Sequence, residues 1–515
     1  MKRISIIILS IIAITITTTY VIYNIYIRRD ITKVSNENIN KKEKMISRDL
    51  RIGITNFDTI NPILSSNINV QNISRLIFEP LLNLTYDYKL EESLATEWTK
   101  LNTNTYLIKL RKNVKWQNER NFDSDDVIYT IDLIKKLKEK SIYYYNVENI
   151  KEVKKIDKHT IKIITTDEVP YFEYNLIFPI VSSKYFNKEN LNIDRNIMPP
   201  GTGMYYIEDK NKENIELKIN ANWWKEKKLK VNNISINLYK NINEEIRDIE
   251  LNKLDLITTS ATDINEIIDK SKCNIKKYIG RNYDYIAVNC KKNMLKNRGV
   301  RKAIIYGINK NEIIEKVYNN NYVKSEFPLD FGCYLYKKIE ENNYNKEKAK
   351  RISKENKLKN VNLNILINKN NDDKIKLAYL IKEQLNAFGI EIHVVEKNEK
   401  EYEKDLENSN FDLAIISNTY TFSPSLNSYF EEGNLNNYDN FKIRKILNNI
   451  ENIPDEDARK EIENIKELYY RDVPFVSLFY NTNTLVYSKN LKGEISPNSY
   501  NIFYNIENWY MEYDK

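Results

Sequence analysis

Two histidines and three cysteines in 515 residues leave little for zinc, whose sites draw most of their ligands from those side chains. Three cysteines also cannot supply a disulfide framework. Glycine and proline, at 10 and 11 residues, are too scarce for a collagen-like or linker-dominated chain. There is no Gly-rich loop to cradle a phosphate, no nucleophile elbow and no metal-ligand spacing. A one-sided charge is missing too: 80 Lys and Arg against 72 Asp and Glu give a net +8, without the basic face or tail of a nucleic-acid binder. What is present is a globular composition, 41% hydrophobic, 11% aromatic and 30% charged. At roughly 150 residues per domain, the length suggests two to four domains.

The long apolar run is at the N-terminus. Met1-Lys2-Arg3 precedes an almost unbroken stretch from Ile4 to Ile27. As a helix rising 1.5 Å per residue it reaches about 36 Å, enough for a hydrocarbon core of about 30 Å. A cleaved signal peptide would have a shorter run, about 7–15 residues, ending in a small-x-small site. This run ends instead in Tyr20, Tyr23 and Tyr26, which suit an interfacial aromatic belt. No Cys stands near it for lipid attachment. Residues 1–30 therefore read as an uncleaved membrane anchor with the large C-terminal part translocated. Residues 31–47 read as a polar tether with a reach of about 23 Å.

From Leu50 the chain reads as globular, with no internal repeat. Tyr106, Ile108 and Leu110 alternate as a half-buried strand. Asp123 is placed to cap a helix, with Asp126 at its N3 position and Val127, Ile128, Ile131, Ile134 and Leu137 as its apolar stripe. Later, Leu363, Ile365 and Ile367 predict a strand, and Leu377 to Phe388 a helix stopped by Gly389. Ile390, Ile392 and Val394 predict a second strand, and Phe411 to Ile416 a third, after a charged helix. That alternation argues for a parallel α/β layer, whereas the first half, with short strands between helices, suits α+β.

Six segments, in order, resemble the bacterial extracellular solute-binding proteins of family 5, which serve peptide ABC importers and include nickel- and haem-binding members. They are Lys109 to Trp116 with Phe122 to Val127; Pro200-Gly201-Thr202-Gly203-Met204-Tyr205; Asn222-Trp223-Trp224; Val300 to Asn309; Val473 to Phe479; and Tyr487 to Gly493. The resemblance spans roughly residues 50–512 and is closest to the oligopeptide-binding members. It implies a two-lobed periplasmic-binding-protein-like fold, α/β plus α+β, with two hinge strands and an inserted subdomain. Lobe I would comprise 48–285 plus 478–515, with the insertion at about 84–198, and lobe II would comprise 286–477. The hinge strands would be Tyr283–Asn289 and Val473–Tyr480, with Tyr285, Ala287, Asn289, Pro474, Phe475 and Ser477 as hinge residues.

Such a protein must release what it captures, so closure around a guest replaces covalent chemistry. A peptide would be held by its backbone, added as a strand to an open edge. The candidate edge on lobe II is Ser417, Asn418, Thr419, Tyr420, Thr421 and Phe422. On lobe I the candidates are Asn56, Phe57, Asp58 and Thr59 with Leu64, Ser65 and Ser66. Many oligopeptide binders place an Asp where Thr421 stands and hold the peptide's ammonium with it. Here Asp58, Glu431 or another acid would have to supply that charge, or the ligand is not held by a free N-terminus. The family's Asp-Gly turn is replaced by Asn118-Glu119.

Other residues have plainer readings. His159 and His393 read as surface residues and Cys333 as an isolated thiol, while Cys273 and Cys290 would pair only if the intervening chain folded back. Trp223-Trp224 reads as packing, and Asp125-Asp126 and Glu244-Glu245 as acids favoured at helix N-termini. The expectation is a monomeric, non-catalytic receptor without cofactor or metal, tethered outside the cell membrane. It would pass peptide ligands to the permease subunits of an ABC importer. A peptide-signal sensor using the same capture domain is the alternative.

Overall fold

The computed structural model describes residues 18–23, 44–184, 199–260, 264–337, 344–358 and 361–514. The expected anchor and tether lie outside them, apart from one helical turn at 18–23 and residues 44–47. Among the described residues, no helix is long and apolar enough to cross a membrane.

Eleven strands form one sheet. Its spatial order is Ile390–Lys397, Val361–Asn368, Leu413–Thr419, Cys273–Val288, Phe475–Ser488, Leu256–Thr259, Asp49–Thr55, Asn233–Tyr239, Asn214–Ile219 and Tyr205–Lys210. The short strand Tyr322–Lys324 pairs beside Phe475–Ser488. The two long central strands run antiparallel and cross from one lobe to the other. The first half of Cys273–Val288 pairs only with Phe475–Ser488, whose other edge meets Leu256–Thr259 of the first lobe. Its second half also takes Leu413–Thr419 of the second lobe, Asn282 opposite Thr419 and Val288 opposite Leu413. Between the halves the register slips, from Ile279 opposite Thr482 to Tyr283 opposite Tyr480.

The expected parallel layer is present. Val361–Asn368 pairs in parallel with both Ile390–Lys397 and Leu413–Thr419. Helices Asp372–Asn386 and Glu399–Glu407 make the crossovers, and Gly389 takes φ +75° beyond the first. The first two strands bury one face and expose Asn362, Asn364, Glu391 and His393 on the other, as their alternation requires, whereas Leu413–Ile416 is buried on both faces and reads as an unbroken apolar run. The third differs from expectation: it runs to Thr419 instead of ending with the apolar residues at Ile416. Backbone pairing with the crossing strand continues where side-chain burial stops, so polar Ser417, Asn418 and Thr419 stay in the ladder.

A separate four-stranded antiparallel sheet, built from Ala95–Asn102, Thr105–Leu110, Thr160–Thr165 and Ile150–Asp157, carries helix Ser124–Leu137. Asp123 caps that helix in a capping box with Asp126. Asp126 is fully buried and also accepts from Trp116 Nε1 at 3.0 Å, Ser183 Oγ at 2.8 Å and the Arg120 guanidinium. Glu119, standing where the family turn has glycine, takes φ +65°. Tyr88 joins this region to the second lobe, its ring stacked on Phe422 at 5.3 Å and tilted against Phe331 at 5.3 Å.

Candidate functional site

The crossing strands decide which ends of the other strands meet. Asp49–Thr55, Asn233–Tyr239 and Leu256–Thr259 are mutually parallel and end on the side of the lobe junction. Leu413–Thr419 also ends there, Thr419 lying beside Asn282 where the register slips. The carboxyl ends of parallel strands from both lobes thus border one junction, the place where open α/β sheets take their ligands.

On the first-lobe side the junction holds a cavity of about 640 Å³. Its walls are Thr55, Asn56, Asn67, Ile68, Asn69, Asn72, Ile242, Thr258, Thr259, Ser260, Tyr278 and Asn483. No side chain in this lining is charged and five are asparagines. An asparagine amide offers a donor pair and an acceptor, the same groups a peptide backbone requires. The lining is held from behind. Asn67 caps helix Ile68–Ile77 through the backbone N–H of Asn69 and Val70, and donates to the carbonyl of Thr55 at 3.2 Å. Thr258 donates to Asn69 Oδ1 at 2.7 Å. Asn56 turns the chain with φ +56°, a conformation Asn tolerates better than most residues.

On the second-lobe side, Ser417, Asn418 and Thr419 are exposed and paired on one side only. Their neighbour on the other side, Val361–Asn368, pairs with this strand no further than Leu413 and Ala414. That leaves a free strand edge. Ser417 Oγ donates to Asp284 Oδ1 at 2.6 Å, and Asp284 is ion-paired to buried Lys374. Tyr420 and Arg281 clasp the end of the strand: Tyr420 N–H donates to the Arg281 carbonyl at 2.7 Å, and Arg281 Nε donates to the Tyr420 carbonyl at 2.9 Å. Phe422 is buried with φ +68°, whereas Thr421 is exposed.

Of the first-lobe candidates, Asn56 alone lines the cavity. Asp58 accepts from Ser65 Oγ at 2.7 Å and from the Thr59 N–H at 2.7 Å, so it ties its loop together. Ser66 is exposed, and Phe57 packs on the lobe's core with the Lys210 ammonium 5.4 Å from its ring. Glu431 is exposed beyond the short helix Asn427–Phe430. No hydrogen bond among the described residues joins the two candidate sets. The hinge candidates Tyr285, Ala287, Phe475 and Ser477 are buried in the second lobe's ladder. Asn289 bonds the carbonyls of Ser409 and Phe411, and the Pro474 carbonyl lies 3.7 Å from Cys290 Sγ. The register slips twice, at Gly280–Asn282 opposite Asn481, whose Oδ1 accepts from Asn282 N–H at 2.8 Å, and again between Asp284 and Tyr285, where the hinge candidates Tyr285 and Ser477 stand opposite each other.

Sequence reasoning missed Asn67, Asn69, Asn72, Tyr278, Asn483, Arg75 and Arg281. Asn69, Asn72 and Arg75 recur at helical spacing, but a polar stripe on an amphipathic helix ordinarily faces solvent. The Trp223 and Trp224 indoles both donate to buried Glu79, at 3.1 and 2.8 Å. Burial raises the Glu79 pKa while those bonds lower it. All three thiols are free, His393 is exposed and His159 half-buried. Among the described residues no group of His, Cys, Asp or Glu could hold a metal.

Comparison with known proteins agrees with this architecture. The family model described as "Bacterial extracellular solute-binding proteins, family 5 Middle" matches residues 89–439. The peptide transport periplasmic protein SapA of Salmonella typhimurium is 24% identical over 485 residues, covering 85% of this chain and 87% of its own. The oligopeptide-binding protein AppA of Bacillus subtilis is 22% identical over 501 residues, covering 90% and 91%. Among solved structures, the unliganded open form of the periplasmic murein tripeptide binding protein MppA superposes with a TM-score of 0.78 at 17% identity. It covers 91% of this chain and 99% of that one.

Proposed function

This chain belongs to the bacterial extracellular solute-binding proteins of family 5, and on that premise we propose that it captures oligopeptides for an ABC importer. It is a solute-binding protein and not an enzyme. The observation that carries the peptide reading is the pairing of two surfaces across one junction. One is the amide-lined cavity of the first lobe, the other the free edge at Ser417, Asn418 and Thr419. A peptide backbone laid along that edge gains ladder hydrogen bonds whatever its sequence. Its remaining groups meet asparagines, which donate or accept as needed. Tyr420, Thr421 and Phe422 close the end of the edge, and Asn56 with its loop Phe57, Asp58, Ser65 and Ser66 forms the opposing rim.

Closure turns on the crossing strands. The second-lobe halves, with Tyr285, Ala287, Asn289, Pro474, Phe475 and Ser477, move as one body, and the bend falls at Gly280–Asn282 and Asn481. The apolar run Ile4–Ile27 holds the protein at the membrane with the lobes outside, and it delivers its ligand to permease subunits as a monomer.

Purified full-length chain in detergent, incubated with a pool of short peptides, should retain peptides identifiable by mass spectrometry. Its scattering profile should become more compact as it does so. Retention of haem or a nickel chelate in place of any peptide overturns the oligopeptide reading. Recovery of a shortened chain from the medium overturns the tether.

A further inference from the structure

At this junction either an acid to hold a peptide's ammonium or a ligand without a free N-terminus was expected; the structure places two arginines there. Arg75 stands on helix Ile68–Ile77, one turn beyond the cavity residue Asn72. Its guanidinium carbon is 3.7 Å from the centroid of the Tyr500 ring, and its Nε is buried without a hydrogen-bond partner. Arg281 stands at the slip in the crossing strand, its guanidinium carbon 4.8 Å from the centroid of Phe422. Phe422 and Tyr500 meet edge to face at 5.5 Å, so both guanidiniums flank one aromatic pair. Tyr143 lies beside them: burial pushes its phenol up to about 12, opposed by the charges of Arg75 and Arg281. The Arg281 guanidinium is held below its ordinary pKa by burial first and by the like charge of Arg75 second.

Among the described residues the fully buried cations are answered, Lys466 by Glu463. Lys310 has Glu326, Lys374 has Asp284, and Arg301 gives its donors to the carbonyls of Leu295, Lys296, Asp472 and Val473. Among the described residues no carboxylate pairs with Arg75 or Arg281, and Arg281 places only its Nε, on the Tyr420 carbonyl. The nearest acid by charge on Tyr500 is Glu91, which accepts from Asn83 at 2.6 Å. Two half-buried like charges without a counterion are unfavourable, and a planar guanidinium matches a carboxylate in a two-point fork. We infer that Arg75 and Arg281 together receive a carboxylate of the bound solute, so that the ligand enters as an anion and links the first-lobe helix to the crossing strand. This rests on the peptide-capture reading, with the C-terminal carboxylate or an acidic side chain as the source.

The test uses full-length protein in detergent and three tetrapeptide pools. One has free carboxyl termini and no Asp or Glu, the second is the same pool amidated, and the third is amidated with one Glu. A charge-assisted pair predicts that wild type retains the first or third pool at least about tenfold over the second, and which one it retains names the source. Arg75→Gln and Arg281→Gln should each erase that preference, bringing retention of the first or third pool down to that of the second. Equal retention of all three pools by wild type overturns the inference and leaves peptide capture standing, as does a preference that survives both substitutions. If no pool is retained, peptide capture fails, and succinate decides the inference alone. A rise in wild-type melting temperature that both glutamine variants lose upholds it; no rise overturns it.

Discussion

Both lobes bury acidic side chains, but they neutralise them differently. In the second lobe Asp284 and Glu326 are 1% and 3% exposed, and each faces a buried lysine, Lys374 and Lys310. In the first lobe Asp255 has a two-point pair with Arg51, at 2.7 and 2.9 Å, but Glu245 has no cation. Glu245 is 1% exposed on helix Ile242–Glu250, its Oε1 unpartnered, and burial alone pushes its carboxyl up to about 8. The second lobe's two acids therefore depend on their lysines, while in the first lobe, which also pairs Asp255, Glu245 depends on its proton. The lobes should fail under different insults.

The largest effect should come from unpairing. Asp284→Ala strands the Lys374 ammonium beneath the ladder and removes the acceptor of Ser417, and should cost about 3–5 kcal/mol in urea unfolding. Asp284→Leu combined with Lys374→Met should recover most of that, since an apolar pair of similar volume spares the desolvation of two ions. A double variant as weak as the single would show that shape, not charge, holds this site.

Next is the proton in the first lobe. Below pH 4.5 Glu245 is protonated folded or unfolded and adds no slope. Between pH 4.5 and about 8 the unfolded chain releases this proton while the folded chain keeps it, so stability falls as pH rises, and above about 8 the loss is complete. The total is about 5 kcal/mol at most, at about 1.4 kcal/mol per pH unit. Glu245→Gln should flatten the urea midpoint across this window and be the more stable protein at pH 8. An unchanged slope in that variant would move the pH dependence elsewhere.

How much of this could be read in advance varied with the kind of signal. The Asp123–Asp126 capping box, the Gly389 stop and the strand–helix alternation around Leu363 to Ile416 all came through, because local geometry and burial period write directly into residue order. The six family segments located the two-lobed fold. The site was only partly legible. The edge Ser417–Thr419 followed from its place after an apolar strand, but its free side depends on where Val361–Asn368 stops pairing. Arg75 and Arg281 meet only through Phe422 and Tyr500, four residues far apart in the chain, and nothing local marks them. The slips in register were not legible either, because residues such as Tyr283 and Tyr285 read simply as strand residues, while a slip is a property of two strands together.

The crossing strands themselves offer a finer contrast. From Tyr283 to Val288 every residue is buried, with partner strands on both sides. From Cys273 to Ile279 most are half-buried or exposed, and one edge is unpaired. Between these halves a Cβ added at Gly280 would fall 2.3 Å from Asn481 Oδ1, the atom that accepts from Asn282 N–H. Gly280→Ala should therefore turn the Asn481 side chain away and lose that bond, at about 1 kcal/mol. The substitution leaves the cavity lining and the strand edge untouched. If the bend lies at the slip, scattering should show an altered degree of compaction on peptide binding, with the second lobe's resistance to urea unchanged. If the bend lies instead at Tyr285 and Phe475, compaction should match wild type, and Asn481→Ala should match it as well.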